Sequence, residues 1–173
     1  LLNEQVLEDK VALLGPDDPD ILIARNNLAA TYWQLNRLDK SIPLFESLVP
    51  QYEKILGKTH LETYRVKANL GVNYRDQQRM SEAIPLLVEA YEASKKHPSL
   101  RRHATTELLT AYTLTGEREK GIALATQSLA GARKAYRPQT KTLAADLTNL
   151  GSSLLKFQAW TEAEAMLREA ITY

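Results

Sequence analysis

Three histidines, His60, His97 and His103, are the residues of this 173-residue chain best suited to proton transfer or metal ligation near neutral pH. A zinc hydrolase would need two of them one helical turn apart with an acid between, and neither His-Glu-x-x-His nor a similar ligand spacing occurs. His60 and His97 fall in loops and read as surface residues. Asp17, Asp18 and Asp20 offer carboxylates to calcium, but the run lacks the alternating acids, central glycine and distant glutamate of an EF-hand loop, so it reads as helix capping. There is no glycine-rich phosphate loop, no Gly-x-Ser-x-Gly elbow and no kinase catalytic-loop signature. Zero cysteines exclude disulfides and thiolate metal sites, which suits a reducing, cytoplasmic setting. The expectation is a protein without catalysis, cofactor or metal.

What remains is the chemistry of recognition. Lys95-Lys96-His97-Pro98-Ser99-Leu100-Arg101-Arg102-His103 is a basic cluster that could meet phosphates or an acidic partner. With no aromatic residue interleaved for base stacking, it reads as a solvated loop. Net charge is +1, so the molecule as a whole has no pull on nucleic acid or an anionic membrane. No apolar run approaches the roughly 18 residues that a membrane helix needs. Of the two tryptophans, Trp160 opens a helix and is expected to pack on its own hairpin; Trp33 is divided between core and ligand-facing roles.

Repetition supplies the elements that must position these residues. Asn27, Leu28 and Tyr32 return as Asn69, Leu70 and Tyr74, and Ser41-Ile42-Pro43-Leu44 returns as Ala83-Ile84-Pro85-Leu86, each 42 residues on. Leu108, Tyr112, Gly121 and Ile122 repeat the set after 38 more, and Leu150, Leu154, Ala163 and Glu164 after another 42. Periods of this length mark solenoids. Apolar residues at helical spacing, with no strand-like alternation, predict helix pairs joined by tight turns: a first helix A and a second helix B. The boundaries are 18–57, 60–96, 99–136 and 138–173 for four repeats in one array, preceded by a lone B helix at 1–14. Ala29, Gly71 and Gly151, facing Ser41, Ala83, Gly121 and Ala163, are small where two helices approach. Leu109 breaks that rule, so the third hairpin is expected to pack less regularly. Pro50, deep in a B helix, is expected to kink it.

Small-large-small spacing on paired helices resembles the tetratricopeptide repeat (TPR), and the 42-residue period resembles its kinesin light chain type. Gly15-Pro16-Asp17-Asp18-Pro19-Asp20 with Arg25-Asn26-Asn27-Leu28-Ala29, and Tyr74-Arg75-Asp76-Gln77, carry the likeness. The second half is also similar to repeat tails behind Ser/Thr protein kinase domains of planctomycete-like bacteria. The resemblance implies an all-α right-handed superhelix, an α-solenoid of antiparallel hairpins whose A helices line a concave groove. The inner stripe would then be Ile23, Asn26, Ala30 and Trp33; Arg65, Ala68, Val72 and Arg75; His103, Thr106, Thr110 and Thr113; Ala145, Thr148, Ser152 and Leu155. It lacks the Lys/Asn clamp of chaperone-binding TPRs, while Asn26 matches the groove-facing asparagine of the kinesin light chain type.

The expected function is a scaffold that binds a peptide segment of a protein partner, an acidic one among the candidates, through Asn26, Ala30, Trp33, Arg65, Ala68, Val72, Arg75, His103, Thr106 and Thr110. The alternative is a structural spacer or self-association module in a larger protein such as a kinase. Arg65 and Arg75 share one helix face about 15 Å apart and suit two carboxylates, unless each is paired with Glu62, Asp76 or another neighbour. A first helix without a partner, no initiator methionine and a short last helix suggest an excerpt of a longer array, with Met166, Leu167 and Ile171 exposed and available for end-to-end contacts.

Overall fold

In the computed structural model, the described residues are Val11, Gly15, 18–136 and 140–173. The helix expected at 1–14 and the Pro16-Asp17 pair lie outside them, apart from Val11 and Gly15. The described residues form eight α-helices and one 3-10 turn, with no strand: α1 Pro19–Gln34, α2 Leu38–Ile55, α3 Leu61–Asp76, α4 Met80–Ser94, the 3-10 turn Pro98–Leu100, α5 Arg101–Thr115, α6 Arg118–Ala135, α7 Lys141–Lys156 and α8 Trp160–Ile171. The chain divides into two compact units, residues 1–100 and 101–173, each holding two hairpins.

Local chemistry sets the helix ends. Asp18 caps α1, its carboxylate accepting from the Asp20 amide at 2.8 Å, with Pro19 in the first turn where its missing N–H costs nothing. His60 caps α3, Nδ1 accepting from the Glu62 amide, and Thr140 caps α7. The four A-to-B turns share one device. Asn36, Gln78, Gly116 and Gln158 have φ of 55, 64, 71 and 57°, and the next residue's N–H returns to the carbonyl of Tyr32, Tyr74, Tyr112 or Leu154 at 2.8–3.0 Å. This reversal satisfies a helix-end carbonyl that would otherwise be orphaned. Only Gly116 adopts the left-handed conformation without a Cβ penalty.

In the first unit α1 pairs with α2, α2 with α3 and α3 with α4, and α1 also touches α3. The core takes Leu22, Ile42, Phe45 and Leu48 from the first hairpin and Val66 and Leu70 from the second. Each such side chain contributes roughly 1.5–3 kcal/mol of burial. Gly71 allows close approach: a Cβ there would meet Leu87 Cγ at 3.0 Å and the Ala83 carbonyl at 3.3 Å. Polar groups are buried in pairs. Ser41 Oγ donates to Asn73 Oδ1, whose amide donates to the Asn69 carbonyl at 2.8 Å. Lys67 on α3, 7% exposed, reaches Glu53 of α2 at 2.8 Å and Glu89 of α4 at 2.7 Å. Burial alone would lower its pKa, but the hydrogen bonds to the two carboxylates raise it. Tyr74 donates to Glu46 at 2.7 Å beneath the Arg79 guanidinium, and burial together with Glu46 pushes its pKa up to about 12.

In the second unit α5 pairs with α6, α6 with α7 and α7 with α8, and α5 also touches α7. Gly151 admits Leu167 as Gly71 admits Leu87, whereas Gly121 is covered by the ring of Phe157, whose Cζ would lie 2.1 Å from an added Cβ. Gly121 thus receives the aromatic end of α7. In the third hairpin the buried Leu109 occupies the position of Ala29, Gly71 and Gly151, and α5 and α6 are joined more sparsely than the other hairpin partners.

Two local expectations, for Trp160 and Met166, need correction. Trp160 is 62% exposed rather than packed on its hairpin, because it stands at the first position of α8 beyond the last turn of α7. Met166 is buried, since it faces inward one turn after Ala163, while Ile171 is exposed. Pro50 lies inside α2, which runs on to Ile55 with the proline exposed, and its ring supplies no N–H to the Glu46 carbonyl.

Candidate functional site

The face of α1 holds three of the predicted recognition residues. Ile23 is 54% and Trp33 37% exposed, and between them lie the half-buried Asn26 and Ala30. Offsets of three, four and three keep all four on one stripe. Trp33 does not hang free: its indole N–H donates to Asp76 Oδ2 at 2.7 Å, tying the end of α1 to the end of α3. Asn26 Oδ1 is buried and has no hydrogen-bond partner, a cost of about 1–3 kcal/mol that a donor from outside would relieve.

The α3 stripe is placed differently. Ala68 and Val72 are buried within the unit, so they support the face from behind instead of forming an apolar contact surface. The Arg75 side chain is only 11% exposed, and its Nε and Nη2 donate to Asp76 Oδ1 at 3.0 and 2.8 Å. Asp76 therefore serves Trp33 with one oxygen and Arg75 with the other. Arg65 is exposed and pairs with Glu62 at 3.1 Å. An open pair of this kind is worth little in water, and its arginine can exchange partners. Of the two expected cationic forks, one is held by a neighbouring carboxylate and one is accessible.

His103, Thr106 and Thr110 belong to the second unit. His103 lies 3.7 Å from Glu107, and Thr110 returns its hydroxyl to the Thr106 carbonyl at 2.8 Å. A cavity opens nearby, with Arg101, Arg102 and Thr106 of α5, Ser128 of α6, and Asp146 and Asn149 of α7 in its wall. Arg102 Nε donates to Asp146 Oδ1 at 2.9 Å, joining α5 to α7 much as Trp33–Asp76 joins α1 to α3. Asp76 is foreseen only as a pairing partner for the arginines, not for Trp33, and Asp146 is missed; each sits one position off the inner line. The signal available is their spacing of 43 and 44 residues from Trp33 and Arg102, one 42-residue repeat plus one or two positions.

No group of three or more metal-ligating side chains stands together among the described residues, and none of their helices is long and apolar enough to cross a membrane. Residues 20–96 match the family model described as the tetratricopeptide repeat. Among solved structures, the chain is similar to the nearly identical TPR-like repeats of a Podosopora anserina protein named as a kinesin light chain: 23% identity, TM-score 0.82, over 99% of this chain and 83% of that one. A singly substituted form of those repeats gives 0.83 at the same identity over 99% and 82%. BtubC (BKLC) from P. vanneervenii matches at 18% identity and TM-score 0.73 over 90% of this chain and 64% of its own. A comparison with curated proteins gives no match. These likenesses establish the fold of helix-hairpin repeats shared with TPR solenoids.

Proposed function

We propose that this chain, in which residues 20–96 are tetratricopeptide repeats, is a protein-interaction scaffold that holds a short peptide segment of its partner against the A helices. Repeats of this family are generally scaffolds without chemistry of their own. The reading extends over the repeats at 18–57, 60–96, 99–136 and 138–173 and places the protein in the cytoplasm, without catalysis.

The observation that carries the reading is the α1 face: exposed Ile23 and Trp33 about 15 Å apart, with the unpartnered Asn26 carbonyl oxygen between them. An extended or short helical peptide would set apolar side chains on the two anchors, and an outward turn of the Asn26 side chain, whose carbonyl oxygen is buried without a partner, would let it accept a peptide N–H. Arg65, held only by a solvent-exposed Glu62, supplies the acidic preference. Arg75 acts through Asp76 by fixing the carboxylate that orients Trp33.

Peptide libraries displayed on phage test this directly. Panning against the chain should enrich peptides with acidic and apolar residues, bound at about micromolar Kd, roughly −8 kcal/mol, and released by salt. Arg65→Glu should lose the acidic enrichment, and Trp33→Ala most of the binding, with both variants folded by far-UV circular dichroism. Selected peptides without acidic residues, or equal binding by all three proteins, would refute it.

A further inference from the structure

The face of α1 limits the conformation and the register of a ligand as well as its class. We infer, resting on the peptide reading of that face, that the bound segment is extended and sets two apolar side chains, four residues apart, on Ile23 and Trp33. An acidic residue stands beside the one at Ile23 and none beside the one at Trp33.

Reach selects the spacing. Ile23 and Trp33 lie ten residues apart on one helix, about 15 Å along its axis. In an extended chain successive side chains point to opposite sides and each residue adds about 3.3 Å, so residues four apart share a face and span about 13 Å. Side chains leaning along the strand make up the difference. A separation of three or five residues turns the second side chain away. A helical ligand would need about eleven residues, three turns, for the same distance. Asn26 decides between the two. It lies half-buried between the anchors, its carbonyl oxygen without a partner. Turned outward, its carboxamide offers an acceptor and two donors. A backbone meets these with free N–H and C=O groups when it is extended, whereas the middle turns of a helix spend both internally. The small Ala30 lets that backbone come close.

Charge sets the order. The Trp33–Asp76 hydrogen bond places the ends of α1 and α3 side by side, and both are A helices running in the same direction. Eleven residues earlier in each stand Leu22 and Arg65, so Arg65 is level with the Ile23 end of the stripe. Its guanidinium is held only by the equally open Glu62, and a ligand carboxylate can take its place at little cost. At the Trp33 end the nearly inaccessible Arg75 is committed to Asp76. A ligand acid there would meet the Asp76 carboxylate instead of an open cation.

Fluorescence anisotropy of labelled synthetic peptides with the 173-residue chain provides the test. Each peptide carries two leucines in a serine and threonine background, spaced by three, four or five residues, with a glutamate beside the first leucine, beside the last or at neither place. A further peptide sets its leucines about eleven apart in an alanine-rich helical host. The four-residue spacing should bind about tenfold or more tighter than the others. One glutamate placement, and not the other, should tighten it severalfold, and Arg65→Gln should erase that gain. Trp33→Ala and Ile23→Ser, both checked for folding by far-UV circular dichroism, should each weaken the four-residue peptide about tenfold. Ile23 is exposed and outside the Asp76 contacts, so its variant stays informative if Trp33→Ala unfolds. Binding that needs both anchors but ignores the spacing, favours the helical peptide or gains equally from either glutamate would overturn the extended register and leave the peptide reading standing. Binding that neither anchor variant weakens, or no binding by any peptide of the set, would remove both.

Discussion

Removing both carboxylates around Lys67 should destabilise the protein far more than removing the lysine itself. Lys67 is nearly inaccessible, whereas the side chains of Glu53 and Glu89 keep 25% and 43% of their exposure. In Lys67→Met the two glutamates rehydrate and the thioether fills the lysine stem, so the loss is the net value of the charged hydrogen bonds, about 1–3 kcal/mol. In Glu53→Gln or Glu89→Gln one carboxylate still compensates the ammonium, and about 1 kcal/mol is lost. In the double variant the ammonium is buried without an opposite charge, and the cost rises to about 3–5 kcal/mol. The double variant should therefore lose about 1–3 kcal/mol more than the sum of the two single effects. Urea denaturation followed by far-UV circular dichroism compares these variants with the wild type. A pH series adds an independent sign. The buried, unpaired lysine would have a folded pKa below its unfolded value, so the double variant should gain stability as pH rises between the two, where the unfolded state binds more protons. Additive glutamate effects, or a Lys67→Met cost equal to that of the double variant, would show that the triad does not act as argued.

Gly121→Ala drives a methyl group into the buried Phe157 ring and should cost about 1–3 kcal/mol in thermal unfolding; Phe157→Leu in the same chain should recover part of it, and an unaffected melting temperature for Gly121→Ala would contradict the packing. Gly71→Leu or Ala83→Leu should cost a similar amount in the first unit, where Leu87 and the Ala83 carbonyl leave no room. Gly116→Ala, at φ 71°, should lose about 1 kcal/mol, and Gln158→Gly at the equivalent turn should lose nothing or gain a few tenths, read from the same melts. Tyr74 titrates near 12 in the fold against 10 ordinarily, so its contribution is complete below pH 10 and disappears as pH rises through 12. Melting across that window should fall for the wild type and less steeply for Tyr74→Phe; parallel curves would refute the assignment.

The hairpins are legible in the sequence because periodic packing leaves periodic residues: Leu28 and Leu70, Phe45 and Leu87, Ala29 and Gly71 all lie where a 42-residue repeat puts them. The turn geometry is legible at Gly116 and at Asn36, residue types that accept left-handed φ, whereas Gln78 and Gln158 adopt it under constraint from the helices on either side, which local propensity does not encode. The α1 stripe follows from helical offsets. The state of Arg75 does not, because a one-dimensional stripe cannot say that its neighbour Asp76 stands between it and Trp33. Ala68 and Val72 fall on the expected helix but are less accessible than the stripe implies, since the same stripe serves the A-helix face and the contact between hairpins. Arg101 and Arg102 read, in sequence, as part of a solvated basic run. What turns them into cavity wall is Asp146, a partner one repeat away.

The Trp33–Asp76 and Arg102–Asp146 hydrogen bonds span 43 and 44 residues, and both join one A helix to the next. A chain emerging from the ribosome at about 5–20 residues per second presents both members of such a pair within about 2–9 seconds of one another. Each A helix therefore has its neighbour available after one repeat has been synthesised, without waiting for the end of translation. Contacts of such short reach carry a small loop-closure cost and favour rapid folding. Within each unit, the interval during which Leu28, Phe45 or Leu147 faces solvent is set by the synthesis of a single repeat.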